Sequence, residues 1–438
     1  MKTTPYAMTA PPTSHENPSS APAQQFLQEL SFCGRAGLHE RSRKPVLLVL
    51  TSTYPRWTDD HEPSFVHELA SRLTKYFIVH VLAPHSAGAA RSETMEGVNV
   101  SRYVYAPNAL ELLVNNGGIA INLRRNRWKL LLIPSFLISQ AWHTQRLIAK
   151  LRPDALHAHW IIPQGAVLPL ISLVGAQIAP TLLTSHGADL YSMRSNFISA
   201  IKRWAIRKAS SLTVVSEAMV GEARNLGATG VRVEPMGVNL TTLFVPPSRN
   251  GRSKSEILFV GRLVEKKGLR VLIEAMPMIK NRQPDAFLTV VGFGPEFTQL
   301  RDLVHELGLQ DCVNFAGPKP QSDLPAYYQR AAVFVAPFIR ATSGDQEGLG
   351  LVVVEALGCA CPVVVSDLPQ VRQTLNDGIC ATAVRPGCRE ALGKAVLQQL
   401  CTPYDSQVHQ MNAANVRARF DWDTVAERYA SVLMELVR

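Results

Sequence analysis

Two carboxylates, Glu347 and Glu355, flank a glycine-containing turn and an apolar segment. Gly348 and Gly350 allow the backbone between them to approach a ligand closely. A helix predicted to begin after Gly350 would point free backbone N–H groups at that ligand, an arrangement that suits a phosphate. About two helical turns separate the carboxylates, so both can face one side of the helix. On these residues alone, the alternative is a pair of surface glutamates around a helix start.

Two cations, Arg262 and Lys267, follow a strand predicted over Glu256–Val260, with Gly261 at its end. Loops at the carboxyl ends of parallel strands are where α/β folds bind ligands. Fixed cations at such a position suit a phosphate group and stabilise negative charge that develops on it during a reaction. The pair is therefore a candidate diphosphate site, although in isolation it could equally be a solvated basic turn.

Histidines mark a further candidate site in the first half of the chain. His186 stands next to a glycine on a loop after a predicted strand, with Asp189 three residues later. Loops of this kind often carry function, whereas a lone histidine is more often structural. His157 and His159 are separated by one residue, a spacing that two metal-ligating histidines can have. No third candidate ligand has a spacing that would complete a metal site. We therefore predict that the pair binds no metal and that its side chains pack structurally or on the acceptor side.

The elements that position these residues follow from the alternation of apolar runs and amphipathic segments. Pro45–Leu50 and Phe77–Ala83 read as buried strands on either side of a helix over Ser64–Tyr76. A second round of strand and helix begins at Glu256 and repeats with short loops, as in a doubly wound sheet. The pattern predicts an α/β protein with two Rossmann-like domains facing a central cleft. The predicted segments are a disordered tail over 1–42, an N-terminal domain over 43–238, a C-terminal domain over 239–420 and a last helix over 421–438.

Composition restricts the class of protein. With 438 residues, 46% of them hydrophobic and 18% charged, the chain can form two globular domains. Its seven cysteines show no paired spacing, which favours a reduced cytoplasmic setting. The net charge of +10 is concentrated in the first half. Because no nucleic-acid-binding motif is present, contact with a membrane or with phosphate groups explains this charge better than nucleic acid does.

The segment from Glu347 to Glu355 resembles the Glu-x7-Glu motif of retaining glycosyltransferases of family 4, which have the GT-B fold. Pro362–Asp367 is similar to the continuation of that motif, and the turn from Gly261 to Gly268 also looks like a family motif. The resemblance extends over residues 45–438 and is strongest in the second half. It implies that the last helix crosses back to the first domain.

This resemblance implies a role for each candidate residue. Glu347 would contact the transferred sugar, and Glu355 would hold the ribose hydroxyls of the nucleotide. Arg262 and Lys267 would carry the charge of the leaving diphosphate, so that no metal or other cofactor is required. His186 would hydrogen-bond the sugar, which completes the expected catalytic set.

The wider binding sets are also implied by the resemblance. Gly292 and Gly294 form only a weak dinucleotide signal, but they fit the family loop near the base and ribose. The first loop lacks the glycine pair of many members, so it is expected to shape the acceptor site. The expected donor-binding residues are Gly261, Arg262, Lys267, Gly292, Gly294, Glu347, Gly348, Leu349, Gly350 and Glu355. The expected acceptor-side residues are Tyr54, His61, His159 and Asp189.

The implied activity is transfer of a sugar from a nucleotide-diphosphate sugar to a hydroxyl of a saccharide or lipid-linked saccharide, with retention at the anomeric carbon. Cell-surface polysaccharide synthesis is the expected setting. Two alternatives stay open: a catalytically silent GT-B scaffold in a polysaccharide assembly complex, and a nucleotide-sugar epimerase. The presence of all four donor residues argues against the silent scaffold.

A basic segment, Arg124–Lys129, precedes the apolar run Leu130–Ile133. It could lie on an anionic bilayer with Trp128 at the interface. The alternative is a buried helix with a solvated basic edge. The expected location is therefore the cytoplasm, with peripheral contact at the inner face of the cytoplasmic membrane as one of the two alternatives.

Overall fold

The computed structural model describes residues 43–57, 60, 64–115, 118–248, 251–375 and 378–438. The tail predicted over 1–42 and the acceptor-side candidate His61 lie outside the described residues, as does the side chain of Arg124. From Pro45 to Arg438 the chain forms one compact unit that contains two largely parallel sheets.

The first sheet has eight strands: β1 (Val46–Leu50), β2 (Ile78–Pro84), β3 (Ser92–Met95), β4 (Val98–Tyr103), β5 (Ala155–His159), β6 (Thr181–Ser185), β7 (Ser211–Val214) and β8 (Val231–Val233). Their spatial order is β3-β4-β2-β1-β5-β6-β7-β8. All neighbouring pairs are parallel except β3 with β4, which form an antiparallel hairpin at the edge. The central strands are buried along their whole length, which is why they read as uninterrupted apolar runs.

Seven helices belong to the part of this domain that the structure describes: α1 (Phe65–Leu73), α2 (Ile119–Arg125), α3 (Leu132–Leu151), α4 (Ala166–Leu173), α5 (Ala188–Tyr191), α6 (Asn196–Lys208) and α7 (Val220–Asn225). The first shows why they form, because Val66, Leu69, Ala70 and Leu73 are buried at the spacing of one helical face. Full burial of a leucine side chain stabilises the fold by about 1.5–3 kcal/mol. A polar residue at Leu69 would remove that packing.

The second sheet has six strands: β9 (Glu256–Val260), β10 (Phe287–Val291), β11 (Val313–Gly317), β12 (Val333–Ala336), β13 (Val363–Ser366) and β14 (Thr382–Val384). They are all parallel in the order β11-β10-β9-β12-β13-β14. The helices that follow along the chain are α8 (Leu269–Arg282), α9 (Phe297–Glu306), α10 (Leu324–Arg330), α11 (Leu351–Gly358), α12 (Pro369–Leu375), α13 (Arg389–Cys401), α14 (Ser406–Phe420) and α15 (Trp422–Val437).

The chain passes between the two domains twice, and the two passages lie side by side. Val238 and Asp421 form an isolated parallel bridge. The N–H of Val238 donates to the carbonyl of Phe420 at 2.8 Å, and the N–H of Trp422 donates to the carbonyl of Val238 at 3.2 Å. An added Cβ on Gly237 would lie 2.5 Å from the Trp422 ring, so only glycine fits there. Helix α15 then packs against α1, β5 and β6 and completes the first domain.

Candidate active site

Four loops at the carboxyl ends of strands carry the candidate residues. His186 follows β6, Arg262 follows β9, Gly292 follows β10, and Glu347 lies between β12 and α11. This edge of a parallel sheet is where α/β folds bind ligands, because the loops leave a crevice there. Loops that follow strands of both sheets therefore contribute candidate residues to one site.

The loops of the two domains touch at Gly348. An added Cβ on Gly348 would lie 3.0 Å from the carbonyl oxygen of His186 and 3.6 Å from Cγ2 of Val215. An added Cβ on Gly187 would lie 3.5 Å from Cα of Gly348. The histidine loop of the first domain and the glutamate loop of the second are therefore in direct backbone contact.

Lys267 and Glu347 form a nearly buried ion pair. Nζ of Lys267 lies 2.7 Å from Oε2 of Glu347 and 4.9 Å from the centroid of the Phe338 ring. Burial by itself would raise the pKa of Glu347. The charges of Lys267 and Lys266 and a hydrogen bond from the N–H of Gly348 outweigh burial and hold that pKa at about 2. Glu347 is consequently ionised at neutral pH, with a cation beside it.

A second set of contacts ties the loop before the first glutamate to the cationic turn. Nζ of Lys266 lies 3.3 Å from Oδ1 of Asp345 and donates to the carbonyl of Gln346 at 3.3 Å. The carboxylate of Glu265 accepts from the N–H of Thr342 at 2.9 Å. Sequence reasoning did not assign Glu265 or Lys266 to the site, although both lie between the predicted residues Arg262 and Lys267. They hold the two loops at a fixed separation.

Glu355 lies in α11 and receives a hydrogen bond from Tyr328 of α10. The phenol donates to Oε2 of Glu355 at 2.8 Å, and both side chains are buried. Burial raises the pKa of Glu355 to about 7, although the Tyr328 hydrogen bond and the charge of Lys267 each lower it. The carboxyl group of Glu355 therefore titrates near neutral pH, whereas that of Glu347 is ionised there.

The glycines predicted for the donor loops are required by close backbone packing. An added Cβ on Gly292 would lie 1.9 Å from the carbonyl oxygen of Gly261, and one on Gly294 would lie 2.2 Å from that of Leu263. Gly292 also has a φ of +139°, and Gly350 has a φ of +78°, values that L side chains rarely adopt. The loops after β9 and β10 are thus packed directly on each other.

The His186 ring sits in an aromatic setting. Its centroid lies 5.2 Å from that of His159, 4.9 Å from that of Trp160 and 5.0 Å from that of Phe65. Nε2 of His186 and Nδ1 of His159 share a hydrogen bond of 3.0 Å. Burial lowers the pKa of His186 to about 3 and that of His159 well below its usual value. Both rings are therefore neutral at pH 7, and His186 can hydrogen-bond a hydroxyl without adding charge.

Asp189 holds this histidine loop in place. Its carboxylate accepts from the N–H of Ile161 at 2.7 Å, the hydroxyl of Ser185 at 2.9 Å and the N–H of His186 at 3.2 Å. Trp160, just before Ile161, has a φ of +74°, which is rare for a large side chain. Asp189 thus connects the loop after β6 to the strained turn after β5.

Three of the predicted acceptor-side residues, Tyr54, His159 and Asp189, are buried in the first domain. The hydroxyl of Tyr54 shares a hydrogen bond of 2.7 Å with Nδ1 of His67, and the Tyr54 ring belongs to the core of the first domain. His159 lies on β5 and is in contact with His186. Its place is therefore to position His186, while Tyr54 supports the fold.

An apolar cavity of about 700 Å³ adjoins the site. Most of its wall comes from the first domain, and Arg262 and Phe293 contribute from the second. Phe65 and Trp160, which pack on the His186 ring, also line it. The cavity and the candidate catalytic residues consequently share a boundary.

Within the described ranges, no group of three or more His, Cys, Asp or Glu side chains is arranged to hold a metal ion. In the same part of the chain, no helix combines the length and the apolar character needed to cross a bilayer.

Comparison with known proteins identifies the family. Residues 246–415 match the model of the family described as Glycosyl transferases group 1, and residues 62–242 match that of Glycosyltransferase Family 4. A GDP-mannose-dependent alpha-(1-6)-phosphatidylinositol monomannoside mannosyltransferase of Mycobacterium tuberculosis is 34% identical over 303 residues, or 66% of this chain and 78% of the relative. The chain belongs to glycosyltransferase family 4. This family 4 enzyme uses a nucleotide-sugar donor.

Two further similarities support the fold and show the breadth of the family. The glycogen synthase of Mycobacterium tuberculosis is 27% identical over 300 residues, 66% of this chain and 70% of the relative. The solved structure of sucrose-phosphate synthase from Thermosynechococcus elongatus superposes with a TM-score of 0.71 at 21% identity, covering 90% of this chain and 99% of that chain. The family 4 glycosyltransferase described here therefore has the GT-B fold, as its sequence motifs predicted.

Proposed function

We propose that this glycosyltransferase moves a sugar from a nucleotide-diphosphate sugar to a hydroxyl of a saccharide or lipid-linked saccharide, with retention, in cell-surface polysaccharide synthesis. The second domain binds the donor, and the first domain holds the acceptor at the inner face of the cytoplasmic membrane. The observation that carries the proposal is the ion pair of Lys267 with Glu347, which lies on the same turn as Arg262 and next to the His186 loop.

The chemistry assigned to each group follows from its charge. As the bond between the anomeric carbon and the diphosphate breaks, Arg262 and Lys267 stabilise the charge that grows on the leaving phosphate. The leaving phosphate oxygen accepts the proton of the acceptor hydroxyl, whose oxygen bonds to the same face of the sugar. Glu347, held ionised, and His186, held neutral, contact hydroxyls of the transferred sugar. Glu355 holds the ribose hydroxyls.

A thermal-shift titration with UDP, GDP, ADP and CDP tests the donor site. One nucleotide at 100 times its dissociation constant should stabilise the wild type by about 2.7 kcal/mol. The double variant Arg262→Ala with Lys267→Ala should show no shift. The matched control is Arg270→Ala with Lys280→Ala, two cations of α8 outside the site, and it should respond as the wild type does. If no nucleotide stabilises the wild type, or if the control also loses the response, the proposal is wrong.

A further inference from the structure

The apolar cavity of the first domain is too large to be a packing defect. Its volume of about 700 Å³ falls within the range of ligand pockets, about 300–1,000 Å³. Much of its wall is hydrocarbon, contributed by Ile119, Leu123, Ile133, Phe136, Leu137 and Ala166.

The polar side chains that line the cavity come from loops at the carboxyl ends of strands. Ser52 and Thr53 follow the carboxyl end of β1, and Asp189 follows that of β6. Arg262, placed in the donor site, also contributes to the lining. A ligand that matches this surface has a polar head near Arg262 and a long apolar body within the first domain.

The turn Arg127–Leu131 borders the cavity and exposes apolar side chains. Leu130 lines the cavity and is nevertheless 51% exposed, and Leu131 is 80% exposed. Trp128 is also exposed on this turn, with the exposed Arg125 and Arg127 next to it. Exposed leucine and tryptophan side chains among arginines are typical of a segment that rests on an anionic bilayer.

Lys129 does not belong to this exposed surface, which corrects the basic segment predicted from the sequence. Its ammonium group is buried and donates to the carbonyl of Leu112 at 3.0 Å and to Oδ1 of Asn122 at 2.9 Å. These bonds fix the turn against the rest of the domain. The exposed leucines are therefore held outward by the fold.

We propose that the acceptor is a lipid amphiphile whose hydrocarbon chain occupies this cavity, with its hydroxyl-bearing head beside His186 and Arg262. The chain enters from an anionic lipid surface at the Arg127–Leu131 turn. This inference rests on the proposed function, since it selects the lipid-linked acceptor from the two classes named there. It assigns the cavity wall, in particular Leu137 and Ala166, to the choice of acceptor.

The affinity for amphiphiles of increasing alkyl-chain length measures occupation of the cavity directly. The probes are n-alkyl glucosides from hexyl to decyl, titrated below their critical micelle concentrations. Each added methylene should tighten binding to the wild type about fourfold until the cavity is full. Leu137→Trp and Ala166→Phe, which fill the cavity, should abolish this dependence. Ile138→Trp is the matched control, because Ile138 is the next residue of α3, is 70% exposed and does not line the cavity.

The outcomes separate this inference from the proposed function. The nucleotide titration is repeated on Leu137→Trp, which should bind its nucleoside diphosphate as the wild type does. Chain-length dependence without any nucleotide binding would remove the proposed function and keep the cavity site. Nucleotide binding without chain-length dependence in the wild type would overturn the inference. That decisive measurement needs no substitution, so a variant that fails to fold does not prevent it.

Transfer assays with two lipid classes determine which kind of lipid supplies the hydrocarbon chain. One acceptor is a polyprenyl-phosphate-linked saccharide, and the other is a glycosyl diacylglycerol, each compared with its delipidated saccharide. Transfer to one lipid class at least tenfold faster than to its delipidated form supports the inference and identifies the chain. Equal rates with and without the chain, in both classes, would refute it.

Discussion

The ammonium group of Lys267 lies 2.7 Å from a carboxylate oxygen of Glu347. In the proposed function the diphosphate of the donor needs the same cation. Before donor binding, the two side chains neutralise each other and hold each other in position. In the proposed reaction, Lys267 is then shared between the donor phosphate and the Glu347 carboxylate, so that the pair is already arranged before the donor binds.

Glu347→Gln should separate donor binding from transfer. The amide cannot hold Lys267 as an ion pair, so the lysine is free for phosphate and nucleotide affinity should stay equal or increase. The turnover number should fall on the order of 100-fold, the scale of one lost electrostatic contact at a reacting centre. Calorimetric titration of the nucleotide and a radiochemical transfer assay measure the two effects. Glu274→Gln, on α8, should change neither, and an unaltered turnover number in Glu347→Gln would contradict the assignment.

The buried carboxyl of Glu355 should make stability fall as pH rises. Its pKa is raised to about 7 in the folded protein from 4.5. Between these values the unfolded chain has lost the proton while the folded chain keeps it, so folding becomes less favourable with increasing pH. The full difference corresponds to about 3 kcal/mol.

Glu355→Gln removes this dependence because the amide does not titrate. Urea unfolding at pH 5 and pH 8 should show the variant gaining stability relative to the wild type by up to about 3 kcal/mol. Glu306→Gln, an exposed glutamate at the end of α9, serves as control and should follow the wild type. An equal pH slope in Glu355→Gln and the wild type would show that another group is responsible.

Gly348→Ala should weaken the contact between the two domains. The added methyl group would lie 3.0 Å from the carbonyl oxygen of His186, so one loop must move by a few tenths of an ångström. A small displacement at a catalytic centre is expected to lower the turnover number up to about 100-fold. Steady-state kinetics measure this loss. Gly221→Ala is the matched control, because that position on α7 is open, and its kinetics should not change.

Asp189→Asn should destabilise the protein and disturb His186 together. The carboxylate accepts three hydrogen bonds, and an amide nitrogen facing one of those donors leaves it unsatisfied at a cost of about 1–3 kcal/mol. The melting temperature and the turnover number of the folded enzyme should both decrease. Asp154→Asn is a control, since Asp154 accepts the N–H of Val46 at 2.7 Å away from the site. It should lower only the melting temperature.

Arg125→Glu with Arg127→Glu should release the protein from anionic vesicles. Each basic residue near such a surface contributes about 1 kcal/mol, so loss of two weakens binding at least about 30-fold. Co-sedimentation with phosphatidylglycerol vesicles measures the effect. Arg301→Glu with Arg389→Glu, two exposed arginines of the second domain, provides the charge-matched control. Unchanged sedimentation of the first variant would exclude this turn as the contact.

The sequence predicted the buried parallel strands well, because each is an apolar run between short loops. Strand β9 has the predicted bounds, Glu256–Val260, and β1 (Val46–Leu50) lies within the predicted strand Pro45–Leu50. The β3–β4 hairpin was not predicted. Ser92–Met95 is a partly exposed edge strand without an apolar run, so no periodic signal marks it.

Residues of the candidate site that lie within one sequence motif were predictable, whereas residues that only packing brings together were not. Glu355 stands in a recognisable segment, whereas its partner Tyr328 is 27 residues away on another helix. Tyr54 was expected on the acceptor side because the family resemblance assigns the loop after the first strand to the acceptor site. That position does not determine the direction of the side chain, which turns to His67 in the core.

The first domain is completed by the last helix, since α15 packs against α1, β5 and β6. During synthesis, the hydrophobic surface that this helix covers stays open until residues 422–437 have left the ribosome. Tyr429 and Leu433 then fill it. The first domain therefore cannot finish folding before the second domain has been made, and a nascent chain cut short would keep an exposed, aggregation-prone face.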